Sequence, residues 1–346
     1  MSTVTAPTPA AVPDPATPPP APTAPPRQFR WLLRLHRPAL YAWTGLVVAL
    51  AALLLWLGGP LTDASAAGWQ QYDACGMDVA CAYDQEAILL YKDVSLYTSF
   101  AVLAVPFLVA AWAGASLIGR ELESGTARLA WTQGVTPTRW LAAKLALPAA
   151  LITTGTALAA LLHHLAWSAG RGRVDNAKPW YSVESLYASG PMVVALALAG
   201  LAAGALLGLL LRRSLAALIG AVCATGVLWI ATFLALPHLW PTATHVSSLR
   251  DGPSGSGMGV AEGLLTADGD RLDIPRYCGS SIDPSCGTLF DRLDAVSFYK
   301  DYHPESHYWP LQLMATAVLL AVTALLTVLA FRVLRHRTGV RKGAAV

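Results

Sequence analysis

Charged side chains are scarce in this sequence. They make up 13% of its 346 residues, against about 25% in an ordinary soluble domain. Asp, Glu, Lys and Arg are missing altogether from six apolar runs, roughly Ala39–Leu57, Thr98–Ile118, Leu145–Trp167, Pro191–Leu211, Leu215–Leu236 and Leu311–Phe331. With no carboxylate inside a run, the usual proton relay of a secondary transporter is excluded. No lysine is followed by Ser or Thr, so the chain has no P-loop of its own. Cysteines number only five, and none has the CxxC spacing of zinc ligands. His303-Pro-Glu-Ser-His307 is not HExxH, and its proline falls where that motif needs continuous helix. No metal site, bound cofactor or nucleic-acid partner is expected.

What is present is apolar. Hydrophobic residues reach 55% and the mean hydropathy is +0.47. Each uncharged run is long enough to cross a hydrocarbon core of about 30 Å. No alternating barrel pattern accompanies them, so only helices satisfy their backbone in lipid. The expected fold is an all-α integral membrane protein with six transmembrane helices, an N-terminal interfacial helix and two extracytoplasmic loop regions.

Lys and Arg set the expected orientation. With the N-terminus inside, the inner segments hold 15 basic residues against three acids, and the outer ones 9 basic against 18 acidic. That is +12 inside and −9 outside, which recovers the total of +3. Arg171, Arg173 and Lys178, in a short outer loop, run against the rule. Both termini are thus expected in the cytoplasm.

Residues 1–26 contain 10 prolines and lack the basic-then-apolar order of a signal peptide. They are expected to be a disordered tail, ahead of a six-helix membrane domain over 27–337 and a short tail over 338–346. Arg27, Arg30, Arg34 and Arg37 fall on one helical face, with Phe29, Trp31, Leu32 and Leu35 around the other. Such a helix lies in the membrane interface. It serves as a topology anchor or as a contact for a cytoplasmic partner, and both readings stay open.

The outer segments, about 58–97 and 237–309, are polar enough to fold as small caps. Leu289, Phe290, Leu293 and Val296 recur at helical spacing, so an amphipathic helix is expected before span six. The Gly/Ser-rich stretch Asp251–Gly259 is expected to be flexible. Cys75 and Cys81 share one outer segment, Cys278 and Cys286 the other, and Cys223 lies inside span five. Four outer cysteines point to disulfides in three possible connectivities, of which two short loops are the simplest. Gly200, Gly204 and Gly208 form a small-residue stripe for helix packing, either inside the bundle or between two copies. His163 and His164 are expected at the interface beside Trp167.

The inner loop Gly119–Lys144 carries most of the functional signal. Ser124-Gly125 ends span two, Thr126–Trp131 is long enough for a short lateral helix, and Thr136-Pro137 caps the start of span three. The run Glu121-Leu-Glu123-Ser-Gly125-Thr126, the Leu/Ala/Trp stretch, then Thr136-Pro137-Thr-Arg139 and Lys144, resembles the inner loop of ABC-2 type transporter permeases. Six spans, an interface helix and an outer segment before span six extend the resemblance over most of residues 27–337. In that family the loop forms a coupling helix that docks into a cleft of the ATP-binding subunit. The resemblance therefore implies Glu121, Glu123, Gly125, Thr126, Arg128 and Arg139 as coupling residues. It also implies an ABC ATP-binding subunit as partner, with ATP-Mg held there, and a homo- or heterodimer of permeases in the plasma membrane. The chain is expected to be a non-catalytic, exporting subunit. The long outer segments, the cysteines and the Pro-rich tail depart from the simplest members and bear on the substrate. Two other readings are a membrane sensor or scaffold using the outer caps, and a membrane enzyme using Asp291, Asp294 and Glu305. The second lacks a convergent acid/base cluster in the sequence.

Overall fold

The computed structural model describes residues 37–76, 81–275 and 277–339. Arg27, Arg30 and Arg34 of the expected interfacial helix lie outside them. Arg37 is the first residue of the first described helix and is exposed. Residues 37–45 fall in one compact unit; the chain from Leu46 onward forms the other, described below.

All six apolar runs lie within helices long enough to span a membrane. These are Arg37–Cys75, Gln85–Glu123, Pro137–Gly170, Pro191–Leu211, Ser214–His238 and Glu305–Thr338, here spans one to six. Several outlast their apolar runs. Span one continues through a wide π-helical turn, Leu57–Leu61, into the polar helix Thr62–Cys75. Pro60 in that turn has no N–H to give, and Thr62 Oγ1 donates to Leu57 O at 2.6 Å. Span two starts at Gln85, where Asp84 caps it by accepting from Ala87 N at 3.0 Å. A disulfide joins Cys75 and Cys81 between the two helix ends, whose Cα atoms are 5.8 Å apart. The first outer segment is therefore mostly a helical hairpin. Its polar residues stay helical because Ala66, Gly68, Ala87 and Ile88 bury one face.

Spans two and four form the centre of the bundle. In span four 72% of the most apolar stretch is buried, against 17% in spans five and six. The glycine stripe explains the close approach of the two. A Cβ on Gly200 would lie 2.7 Å from Pro106 O, one on Gly204 2.7 Å from Ala110 O, and one on Gly208 2.9 Å from Ile118 Cβ. Real side chains do not fit at those separations, so the stripe is filled by span two of the same chain.

The second long segment expected outside holds a four-stranded antiparallel sheet in the order β1-β4-β2-β3. The strands are β1 Ala243–Ser248, β2 Met258–Thr266, β3 Arg271–Leu272 and β4 Ala295–His303. Strands were not expected here. The amphipathic helix is Pro284–Arg292; it buries Cys286 and Phe290 and stops before Val296. Val296 instead lies in β4 and is exposed, because it is the extra residue of a β-bulge between Ala295 and Ser297, which pair with Thr266 and Leu265. Of the stretch expected to be flexible, Met258 and Gly259 belong to β2 and pair with His303 and Tyr302. Phe290 and Phe298 meet edge to face with centroids 5.5 Å apart. The Cys278–Cys286 disulfide lies in the same small core.

Candidate functional site

The helix ends near residues 120–144, 209–214 and 332–339 gather at one face, here the arginine face. Span two closes with a second π-helical stretch, Ala113–Gly119, and one ordinary turn, Arg120–Glu123. Gly125 then takes the left-handed conformation, φ +78°, which favours glycine and turns the chain aside. The lateral helix follows at Thr126–Thr132. Thr126 Oγ1 donates to Glu121 O at 3.3 Å, tying its start back to span two. Gly134, φ +91°, makes the second turn. Thr136 caps span three by accepting from Arg139 N at 3.4 Å, with Pro137 in the first turn.

The lateral helix is held on one side and open on the other. Ala127 is buried, and Trp131 meets Trp140 of span three edge to face at 5.8 Å. Arg128 and Leu129 face outward, Leu129 being 60% exposed. Arg120, Arg128 and Arg139 are exposed and make no salt bridge among the described residues.

The two carboxylates do different work. Glu121 pairs with Lys144 of span three, whose side chain is only 4% exposed. Glu123 turns the other way, and its Oε2 accepts from Ser214 N, the first residue of the span-five helix, at 2.9 Å. Between spans two and five lies a cleft of about 500 Å³ lined by Ala115, Ser116, Arg120, Glu123, Ser124 and Ser214. Nearby, Arg337 of span six donates to the terminal carbonyls of span four, Leu209 O and Leu210 O.

A family model described as ABC-2 membrane transporter related matches residues 44–238, more than half of the chain. The chain belongs to the ABC-2 membrane transporter related family. No curated protein matches it, and no solved structure does. The matched residues take in most of span one, spans two to five and the whole loop just described; the sheet and span six of this ABC-2 related chain lie beyond them.

The opposite face, which carries the disulfides, holds residues that the sequence flagged singly and one, Gln312, that it did not. The three basic residues that break the charge asymmetry each meet an acid: Arg171 meets Glu305, Arg173 meets Asp63 at 2.7 Å, and Lys178 meets Glu184 at 3.3 Å. His163 and His164 part company, as neighbours on a helix do. His164 stacks on Tyr308 at 5.6 Å and tilts against Trp167 at 5.7 Å. His163 is buried between Ser99 Oγ at 2.8 Å and Ser189 Oγ at 2.7 Å. Ser99 gives its hydroxyl proton to Ser95 O, so His163 Nε2 donates to Ser99 and Nδ1 accepts from Ser189. Gln312, fully buried in span six, donates from Nε2 to Leu186 O at 2.6 Å. A lone amide in an apolar run was the only sign of it in the sequence. Among the described residues, no three His, Cys, Asp or Glu side chains gather closely enough to hold a metal.

Proposed function

We infer that this chain is the membrane-spanning permease subunit of an ATP-driven exporter, worked by a separate ATP-binding subunit through the loop between spans two and three. The arginine face is then cytoplasmic, ATP-Mg is held on the partner, and two permease chains assemble in the plasma membrane. One observation carries this reading: the helix Thr126–Thr132 is exposed along Arg128 and Leu129, yet fastened to two spans behind. A partner gripping that helix moves membrane helices rather than a loose loop. The uncharged apolar runs also supply no proton path of their own, so uphill transport needs energy from another chain. The same lack of charge favours an amphipathic or apolar cargo.

The test is co-purification of the chain with the ATP-binding subunit encoded nearest to it, followed by ATP hydrolysis in lipid. Arg128→Glu should weaken association at least ten-fold while insertion stays normal, since the side chain is exposed outside the bundle. Glu121→Arg is a poorer probe, because it breaks an internal pair. A wild-type chain that binds no ATP-binding subunit would favour the sensor or scaffold reading, for which the ordered sheet domain is the supporting feature.

A further inference from the structure

We propose that Glu123 is a positioning residue that transmits movement of the inter-span loop to span five. This rests on the permease reading above and adds a route through the bundle. Three observations meet at one place. Glu123 lies three residues after Arg120, the spacing at which opposite charges on a helix ordinarily pair. Instead its Oε2 reaches a backbone N–H 91 positions along the chain, at the N-terminus of span five. That terminus has orphan N–H groups and a partial positive charge, so a carboxylate there satisfies a donor and complements the helix dipole.

Directly before this turn, span two is wound as a π-helix over Ala113–Gly119. Such stretches are rare, are less regular than α-helix and recur where helices rearrange or bind. This one is seated against span five without intervening side chains. A Cβ on Gly114 would lie 2.6 Å from Ala217 O, and one on Gly119 3.1 Å from Ser214 Cα. Span two and the first turn of span five therefore touch backbone to backbone, with Glu123 closing the joint below. The cleft of about 500 Å³ beside it leaves one side of the joint without packed side chains.

Glu121 and Glu123 thus split the load. The first ties the loop to span three, the second to span five. A push on the helix Thr126–Thr132 then displaces three spans: two by direct continuity, three through Trp140 and Lys144, and five through Glu123. Without Glu123, span five keeps its close packing on Gly114 and Gly119 but loses its link to the loop. Glu123 is exposed, and its Oε2 is engaged within the chain by Ser214 N.

The chain carries its own reporter. Four of the five cysteines are in disulfides, and Cys223, in span five, is free and exposed. Bimane attached to Cys223 reads the surroundings of span five in the purified complex before and after ATP-Mg. Wild type and Glu123→Gln, which keeps an acceptor oxygen, should give the same ATP-dependent change. Glu123→Ala should give less than half of it, compared per complex recovered by co-purification. In the chain alone, hydrogen exchange over residues 213–218 should be about five-fold faster in Glu123→Ala, the usual effect of losing an N-cap acceptor. A full-sized bimane signal in Glu123→Ala would overturn the proposal. So would Gln behaving like Ala, or unchanged exchange. If no ATP-binding subunit joins the wild-type chain, the permease reading and the transmitting role fall together. The exchange measurement then decides separately whether the Glu123–Ser214 tether exists.

Discussion

Removing one partner of the Glu121–Lys144 pair should destabilise the bundle more than removing both. The Lys144 side chain is 4% exposed and that of Glu121 20% exposed. Glu121→Leu takes the paired carboxylate away from an ammonium in a nearly dry site. Breaking a buried pair in this way costs roughly 3–5 kcal/mol. Lys144→Met leaves a carboxylate with more access to water, so its cost should be smaller, about 1–3 kcal/mol. The double variant has no buried charge and replaces the pair with apolar volume, which is often close to neutral. Thermal unfolding of the purified chain in one detergent, followed by retention of a monodisperse peak, gives the ranking. The apparent midpoint should fall most for Glu121→Leu, less for Lys144→Met, and return most of the way in the double variant. If Glu121→Leu melts with wild type, or the double variant is the least stable of the three, the buried-pair reasoning is wrong.

Three further outcomes are expected. Gly204→Ala places a methyl 2.7 Å from Ala110 O and 2.8 Å from Ala113 Cβ, so it should cost about 1–3 kcal/mol by overpacking. Gly45→Ala, with nothing within 4 Å, should melt with wild type, and equal midpoints for the two would contradict the packing role. Asp301 is held below the usual carboxylate range, first by the Thr244 hydroxyl and then by Arg271. A depressed folded pKa contributes stability above the unfolded value, about 3.9, and that stability is lost as pH falls through the folded one. Between pH 6 and pH 3 the sheet should therefore lose protease resistance more steeply in wild type than in Asp301→Asn. Mass spectrometry of non-reduced peptides should find Cys75 linked to Cys81 and Cys278 to Cys286, with Cys223 alkylated; alkylation of all five would rule the pairing out.

The spans were legible because an uncharged run of that length has few alternatives in lipid. The shape of the inner loop was legible for local reasons: Gly125 marks a left-handed turn, and Thr136-Pro137 is a helix start written in adjacent residues. The partners of the loop's carboxylates were not. Lys144 is 23 positions from Glu121, and Ser214 is 91 from Glu123. Nothing in a periodicity reports which spans will be neighbours. The sheet was hidden for a related reason. β1 pairs with β4 across more than 50 residues, as in Thr244 opposite Asp301, and the helical spacing of Leu289, Phe290 and Leu293 ran into the strand that follows. The acids that meet Arg171 and Arg173, Glu305 and Asp63, lie on other segments, so the loop alone does not reveal them.

The central claim is that a separate ATP-binding subunit grips the helix Thr126–Thr132. Its most direct test is a photo-crosslinking amino acid placed at Leu129, which is 60% exposed, and at Val246 on β1, which is 52% exposed as a control. Irradiation of intact cells, followed by mass spectrometry of the adducts, should identify a chain with a P-loop joined to position 129 and absent from position 246. An adduct with such a chain at 246 alone, or none at 129 in cells that express the neighbouring ATP-binding subunit, would contradict the account.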